Sequence, residues 1–450
     1  MGDTTVRRVE TLVVGAGQAG LAVSRCLAER GADHVVVERG RVAERWRTAR
    51  WDSLRLITPN WMSRLPGWSY PGPDPDGYMS ASELVAYLQG YAESGAVPVR
   101  ENTTVELVET CATGLRVVTD QQTWLARNVV VATGTENQAF VPPLAAGLAP
   151  GVHQLTAGRF RSPRQVPAGG VLVVGASASG VQIADELRRA GRTVVVSAGR
   201  HSRLPRRYRG HDIQWWLHRT GILGQRIDQM RDARSARRAP SLQLSGRPRH
   251  RVDLEALAAR GVILAGRLTA ADGWSVAFAD DLPATTGAAQ ARMERLLRSI
   301  DAFSTVDRTA DALPAFTAPP GPARLDLRQA GITTVIWATG YRPAYPWLRV
   351  PVLDQHGEIE HRRGVTRVPG LYVLGLRFLH RRNSSFIDGV GPDARFVAAH
   401  LIRRTALAGA YREGTLTTMA SWVDRAMTTT ASVSGDGFSS RCGTCGGTQT

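Results

Sequence analysis

The 450-residue sequence contains no lysine: all 56 basic residues are arginine, and against 39 acidic residues they leave a net charge of +17. The arginines are scattered along helices and loops rather than blocked into a tail. No nucleic-acid module accompanies them, so the charge reads as compositional bias, and no nucleic-acid partner is expected. The excess still favours anionic partners, phosphorylated cofactors among them. Cysteine is scarce, at four residues. Cys26 and Cys111 read as small buried residues, and Cys442 with Cys445 form a CxxC in a Gly/Ser/Thr-rich terminus. One CxxC supplies half of a structural zinc site, so no metal is expected; the alternatives are a redox pair or a tail without chemistry. No apolar stretch approaches the ~18 residues of a membrane span. The first apolar run already belongs to a glycine motif, so a signal-peptide layout is lacking and a cytoplasmic protein is expected. A hydrophobic fraction of 43% with 21% charged residues is that of a globular protein, and the length predicts two or three domains.

What is present is a device written twice. "TLVVGAGQAGLAVSRCLAERGADHVVVERG" runs from Thr11 to Gly40, and "VLVVGASASGVQIADELRRAGRTVVVSAGR" from Val171 to Arg200. Each is an apolar run, a glycine turn, a helix-like stretch and a second apolar run. In the first, Gly15, Gly17 and Gly20 stand at GxGxxG spacing, around Gln18 and Ala19. That spacing serves a tight turn, a close approach to a pyrophosphate and helix-on-strand packing, and the helix N-terminus offers free N–H groups to phosphate. Glu38, followed by Arg39, closes the second strand where a carboxylate can bind ribose hydroxyls. The second copy keeps Gly175 and Gly180, replaces the middle glycine with Ser177, and carries Ser179 before Gly180. Its second strand ends in Ser197 instead of an acid, and Arg200 and Arg203 follow. Loss of the carboxylate and gain of guanidinium suit a ribose bearing a 2′-phosphate. The first site therefore suits FAD or NAD and the second NADPH, the alternative being that these are two surface arginines among many.

Two further segments repeat: "NVVVATGTENQAFVP" with Ala132, Thr133 and Gly134, and "TTVIWATGYRPAYPWL" with Ala338, Thr339 and Gly340. Such strand-to-loop junctions mark crossings between dinucleotide domains. They predict a nested α/β order: two Rossmann-like domains in the manner of glutathione reductase, the second inserted in the first. The expected bounds are an FAD domain over 1–165, an NADPH domain with a helical insertion over 166–304, a resumed FAD domain over 305–430 and a tail over 431–450.

These residues resemble the two-dinucleotide-binding-domain flavoproteins, and within them the flavin-containing monooxygenase-like family. The bacterial flavoproteins labelled as potassium-transport proteins are the most similar, through "ERWRTARWDSLRLITPNWMSRLPGW" and "LPRRYRGHDIQWWL". The resemblance implies that Trp46 and Arg47 line the flavin cofactor, that Thr103 to Val105 touch the adenine, and that Gly375 and Asp388 lie near the flavin end. Asp388 reads equally as a helix N-cap. Asn60 loosely matches the family's active-site asparagine and is the one catalytic candidate; turn-capping after Pro59 is the alternative. His380, Arg381 and Arg382 could bind a carboxylate substrate or be solvated, and the stripe Ile213, Trp216, Leu217 and Ile222 is either core or a cavity wall. The resemblance further implies an FAD- and NADPH-dependent monooxygenase that oxygenates a small molecule with molecular oxygen through a C4a-(hydro)peroxyflavin, at nitrogen, sulfur or a carbonyl, and leaves a homodimer open. The sequence departs from the family where its FxGxxxHxxx fingerprint should precede the second loop: "GVHQLTAGRFRSP" keeps His153 and Phe160 without the FxG start. Two rivals follow, a flavoprotein reductase or dehydrogenase without oxygen insertion, and a nucleotide-sensing regulatory flavoprotein. Absence of a CxxxxC beside the first loop, or a CxxC in the second domain, speaks against a thioredoxin-type disulfide reductase.

Overall fold

The computed structural model describes residues 6–247, 250–303 and 313–412. In chain order its sheet strands are β1 (Val6–Val14), β2 (His34–Val37), β3 (Val99–Arg100), β4 (Val105–Cys111), β5 (Gly114–Thr119) and β6 (Thr123–Val131). There follow β7 (His153–Thr156), β8 (Gly170–Val174), β9 (Val194–Ser197), β10 (Ile263–Ala265), β11 (Ile332–Trp337) and β12 (Leu371–Val373). The helices that matter for the site are α1 (Gln18–Ala28), α2 (Ala178–Arg189), α3 (Ile213–Arg219), α4 (Leu282–Phe303) and α5 (Val390–Arg412). The first compact unit ends at Ala399, and the described residues beyond it, 400–412, are the remainder of α5.

The first sheet has seven strands in the order β3-β2-β1-β6-β5-β4, with β12 paired to the end of β6. Parallel pairing of β1 with β2 and β6 makes β1 central, so it must be apolar on both faces, and Leu12 and Val13 are fully buried. The second sheet is wholly parallel, in the order β7-β11-β8-β9-β10. Here Val171, Leu172 and Val173 are likewise fully buried. The strand membership corrects the expected bounds of the inserted domain. Its sheet draws β7 from before residue 166 and β11 from after residue 304, because the central β8 needs a parallel neighbour on each side. The tail over 431–450, with Cys442 and Cys445, lies outside the described residues.

The two Ala-Thr-Gly exits do mark crossings. Gln138 and Ala139 pair antiparallel with Tyr341 and Arg342, and Phe140 N donates to Gly340 O at 2.9 Å. The chain thus passes between the sheets twice, and both passages are tied into one short ladder, further fastened by Thr339 Oγ1 donating to Phe140 O. Among the described residues no helix is long and apolar enough to cross a membrane.

Candidate functional site: two nucleotide loops and the flavin-side loop

The loops after β1 and β8 are superimposable in their bonding. Val13 and Val14 face Val36 and Val37 in the first; Val173 and Val174 face Val196 and Ser197 in the second. Gly15 N donates to Val37 O at 2.8 Å, and Gly175 N to Ser197 O at 2.9 Å. Both glycines hold a left-handed φ, +106° and +113°, that side-chain-bearing residues avoid. A Cβ on Gly15 would lie 2.8 Å from Ala132 O; on Gly175 it would overlap Ala338 O. Each Ala-Thr-Gly segment is therefore packed against its own glycine loop, and Ala132 N and Ala338 N donate to Val14 O and Val174 O at 2.9 and 2.8 Å. Gly20 and Gly180 are fixed by contact with the carbonyls of Gly15 and Gly175, which any Cβ would overlap.

Gly17 behaves differently. A Cβ there would meet nothing within 4 Å, so the glycine leaves open the space a pyrophosphate would cross at the head of α1. Ser177 has the same backbone, φ −81° against −84°, and its hydroxyl makes no capping bond, so the replacement keeps the path and adds a donor.

The strand ends separate the two loops. Glu38 accepts from Ala16 N at 2.8 Å and Gly40 N at 3.1 Å, which aims the carboxylate along the loop's edge. Thr103 N donates to Glu38 O at 2.8 Å, placing the 103–105 segment, with Val105 at the start of β4, beside it. Arg39 is exposed at the same edge. Ser197 instead donates to Gly266 O at 2.9 Å and accepts from Leu268 N at 3.0 Å, so it is spent on the fold and offers a ribose nothing. The two arginines after it part company. Arg200 is exposed, with one bond to Arg238 O. Arg203 is 4% exposed and bonded to Asp253, Glu255, Gln290 and Pro314 O. Its expected role as a phosphate ligand does not fit, because the guanidinium is buried and two carboxylates already answer its charge.

The flavin-side loop runs from Gly375 to α5. Gly375 abuts α1, where an added Cβ would sit 2.7 Å from the Ala19 side chain, and Gln18 Nε2 donates to Ser385 O at 3.0 Å. The loop is thus held on the head of α1. Three residues beyond Ser385, the Asp388 side chain is 3% exposed, with Arg64 3.9 Å away. Its Oδ1 is buried without a hydrogen-bond partner, and burial pushes the carboxyl up to about 6, against the pull of Arg64. An orphaned buried oxygen three residues from the carbonyl that Gln18 holds fits a bound polar group, and FAD would supply one. Trp46 packs on the second sheet's core under the Arg50 guanidinium, 4.7 Å away, and Arg47 Nε donates to Val42 O at 3.0 Å.

Asn60 is bonded within its own part of the fold. It is 4% exposed, Nδ2 donates to Asp74 O at 2.9 Å, and Oδ1 accepts from Met79 N at 2.8 Å. Both ends of the amide staple the loop, as the turn-capping alternative expects. The α3 stripe is core in part: Ile213, Trp216 and Leu217 are buried. Trp215 and Ile222 stay half-buried and join Trp61, Ile57 and Phe386 around that core, two residues from Asp388. Sequence reading missed Gln243, which is 2% exposed and donates Nε2 to Ala176 O in the second glycine loop at 2.7 Å. No motif surrounds Gln243, and its role exists only because a distant segment folds over the loop.

The profile of the pyridine nucleotide-disulphide oxidoreductase family matches residues 12–226. A CzcO-like oxidoreductase of Geobacillus kaustophilus is 33% identical over 392 residues, spanning 86% of this chain and 97% of that protein. The probable indole-3-pyruvate monooxygenase YUCCA1 of Arabidopsis thaliana is 32% identical over 188 residues, 40% of this chain and 44% of that protein. Among solved structures, a flavin-containing monooxygenase from Stenotrophomonas maltophilia shares the fold at a TM-score of 0.62 and 22% identity, covering 88% and 99% of the two chains. With two glycine loops on one scaffold, only the first closed by a carboxylate, the chain belongs to the CzcO-like oxidoreductases.

Proposed function

We propose that the protein is a monooxygenase that transfers one atom of molecular oxygen to a small molecule with an apolar body. The observation that carries this is the division of labour between the two loops. The first has a pyrophosphate path and a ribose carboxylate, and its loop is closed over by the flavin-side segment, as suits a resident FAD. The second has the path without the carboxylate and an exposed arginine, as suits a phosphorylated coenzyme that comes and goes. The first glycine loop and Glu38 would hold FAD, which would supply the hydride-accepting and oxygen chemistry that side chains lack. The chain's own task is to bind, orient and keep the site dry. Trp61, Trp215, Ile57 and Phe386 offer an aromatic and aliphatic wall that would exclude water and receive the substrate's apolar part. Asp388, protonated below about pH 6, could present an O–H at the flavin end and lose it above that pH.

Asn60 favours a second reading, an NADPH-dependent flavoprotein reductase without oxygen insertion. In that case no side-chain amide is required at the reacting centre, in keeping with both ends of Asn60 being committed. The experiment is anaerobic reduction of the FAD-loaded protein by NADPH and by NADH, followed by mixing with ¹⁸O₂ and candidate aromatic substrates. Delayed flavin reoxidation with label in an organic product supports the monooxygenase. Immediate reoxidation with all oxygen recovered as hydrogen peroxide or water supports the reductase, and no reduction by either coenzyme points to a regulatory flavoprotein.

A further inference from the structure

The second loop opens onto a group of guanidinium ions with no acid to answer them. Arg200 lies three residues beyond the end of β9, its single hydrogen bond going to Arg238 O at 2.9 Å. Arg292 comes from a different element, α4, and donates Nη2 to the carbonyl of His201 at 2.8 Å, beside Arg200. Both arginines are exposed, and neither has an ion-pair partner among the described residues. Partial burial and the nearby charges of Arg200 and Arg295 hold the Arg292 guanidinium below its usual pKa. Like charges gathered in this way repel, and they stay together only because the fold fixes each by a backbone carbonyl.

The buried network around Arg203 explains how α4 comes to be there. Arg203 Nη1 donates to Gln290 on α4 at 2.6 Å, two residues before Arg292. Met293, Leu297 and Ile300 on α4 pack into the apolar core of the insertion. The arginine that sequence spacing pointed to thus anchors the helix that delivers another.

We infer that Arg292 is a second ligand of the coenzyme 2′-phosphate and, with Arg200, sets the preference for NADPH over NADH. This rests on reading the second loop as the NADPH site. The chemistry suits a phosphate monoester dianion: each guanidinium has five N–H donors, and the two carbonyl contacts use one on Arg292 and one on Arg200. Ser197, where a carboxylate would repel that phosphate, presents none.

The test is calorimetric titration of the FAD-loaded protein with 2′,5′-ADP and, separately, 5′-AMP, which differ by the 2′-phosphate and need no turnover or oxygen. Arg292→Gln is expected to weaken 2′,5′-ADP roughly tenfold or more, the loss of a charge-assisted pair, and to leave 5′-AMP unchanged. Arg292→Lys, which keeps the charge without the fork, should fall between, and it serves if the glutamine variant does not fold. Arg298→Gln, at another exposed arginine of α4, should match wild type with both ligands. Wild-type 2′,5′-ADP affinity in Arg292→Gln, or equal losses for both ligands, would overturn the inference. Equal affinity of the wild type for the two ligands would instead overturn the NADPH reading beneath it. Loss of 2′,5′-ADP binding in Arg292→Gln without loss of its FAD absorbance confirms it.

Discussion

Arg203→Met gives the sharpest test of how the structure reassigns a residue. The substitution keeps an unbranched apolar stem and removes the guanidinium with its charge. It takes one partner each from Asp253, whose side chain is 4% exposed, and from Gln290. Breaking a buried pair by removing one member costs about 3–5 kcal/mol. Arg251 remains on Asp253 at 3.0 Å and on Glu255 at 2.6 Å, which places the expected cost at the lower end, about 3 kcal/mol. For a domain of this size that corresponds to a drop in Tm of roughly 6–12 °C. The pH dependence has a definite sign. Burial pushes the Asp253 carboxyl up, but the Ala256 N–H, Arg203 and Arg251 outweigh it and hold the pKa below its usual value. A depressed folded pKa gives stability that is complete above the unfolded value, about pH 4, and fades as pH falls through the folded one, so the gap between wild type and variant narrows in acid. Thermal unfolding followed by circular dichroism reads both effects. Asp253→Asn should also lower Tm. If Arg203 were instead a phosphate ligand, Arg203→Met would lose 2′,5′-ADP affinity with Tm shifted by no more than about 1 °C, and Asp253→Asn would bind 2′,5′-ADP more tightly by freeing the guanidinium. That pair of results would refute the reasoning.

Gly17→Val is expected to fold normally, since its side chain meets open space, yet to purify with little FAD; absorbance per polypeptide reads the loss. Gly20→Val should fail earlier, in folding yield itself, because its Cβ overlaps Gly15 O. Asp388→Asn should stabilise the FAD-free protein at pH 8 by about 3 kcal/mol and change little at pH 4, because a carboxyl raised to about 6 costs stability progressively between its unfolded and folded pKa values; urea unfolding at the two pH values measures it. Trp215→Ala should raise KM for an apolar substrate more than KM for NADPH if the aromatic wall receives the substrate, and steady-state kinetics separates the two.

The local devices were legible in the linear sequence because their causes are local. A turn that needs a left-handed glycine, a helix that needs a second glycine against its carbonyl, and a strand buried on both faces each leave a fixed spacing of residue types, and all appear as read around Gly15, Gly20, Gly175 and Gly180. The contrast of Glu38 with Ser197 was equally plain, since position at a strand end follows from counting. What arginine, asparagine or glutamine does was not legible, because a polar side chain's role is set by whichever partner the fold brings to it. Asp253 and Glu255 arrive at Arg203 from 50 and more residues away, Met79 at Asn60 across a loop, and Gln243 at Ala176 from the insertion. The sheet bounds shifted for the same reason: β7 and β11 join the second sheet to cover β8, a demand that exists only in three dimensions. The sequence by itself determined that the glycine-loop device is built twice and which copy ends in an acid, because backbone geometry and strand burial are dictated by neighbours in the chain. Tertiary structure alone decided which cations are taken up by carboxylates and which are not, because the availability of a charge depends on every charge packed around it.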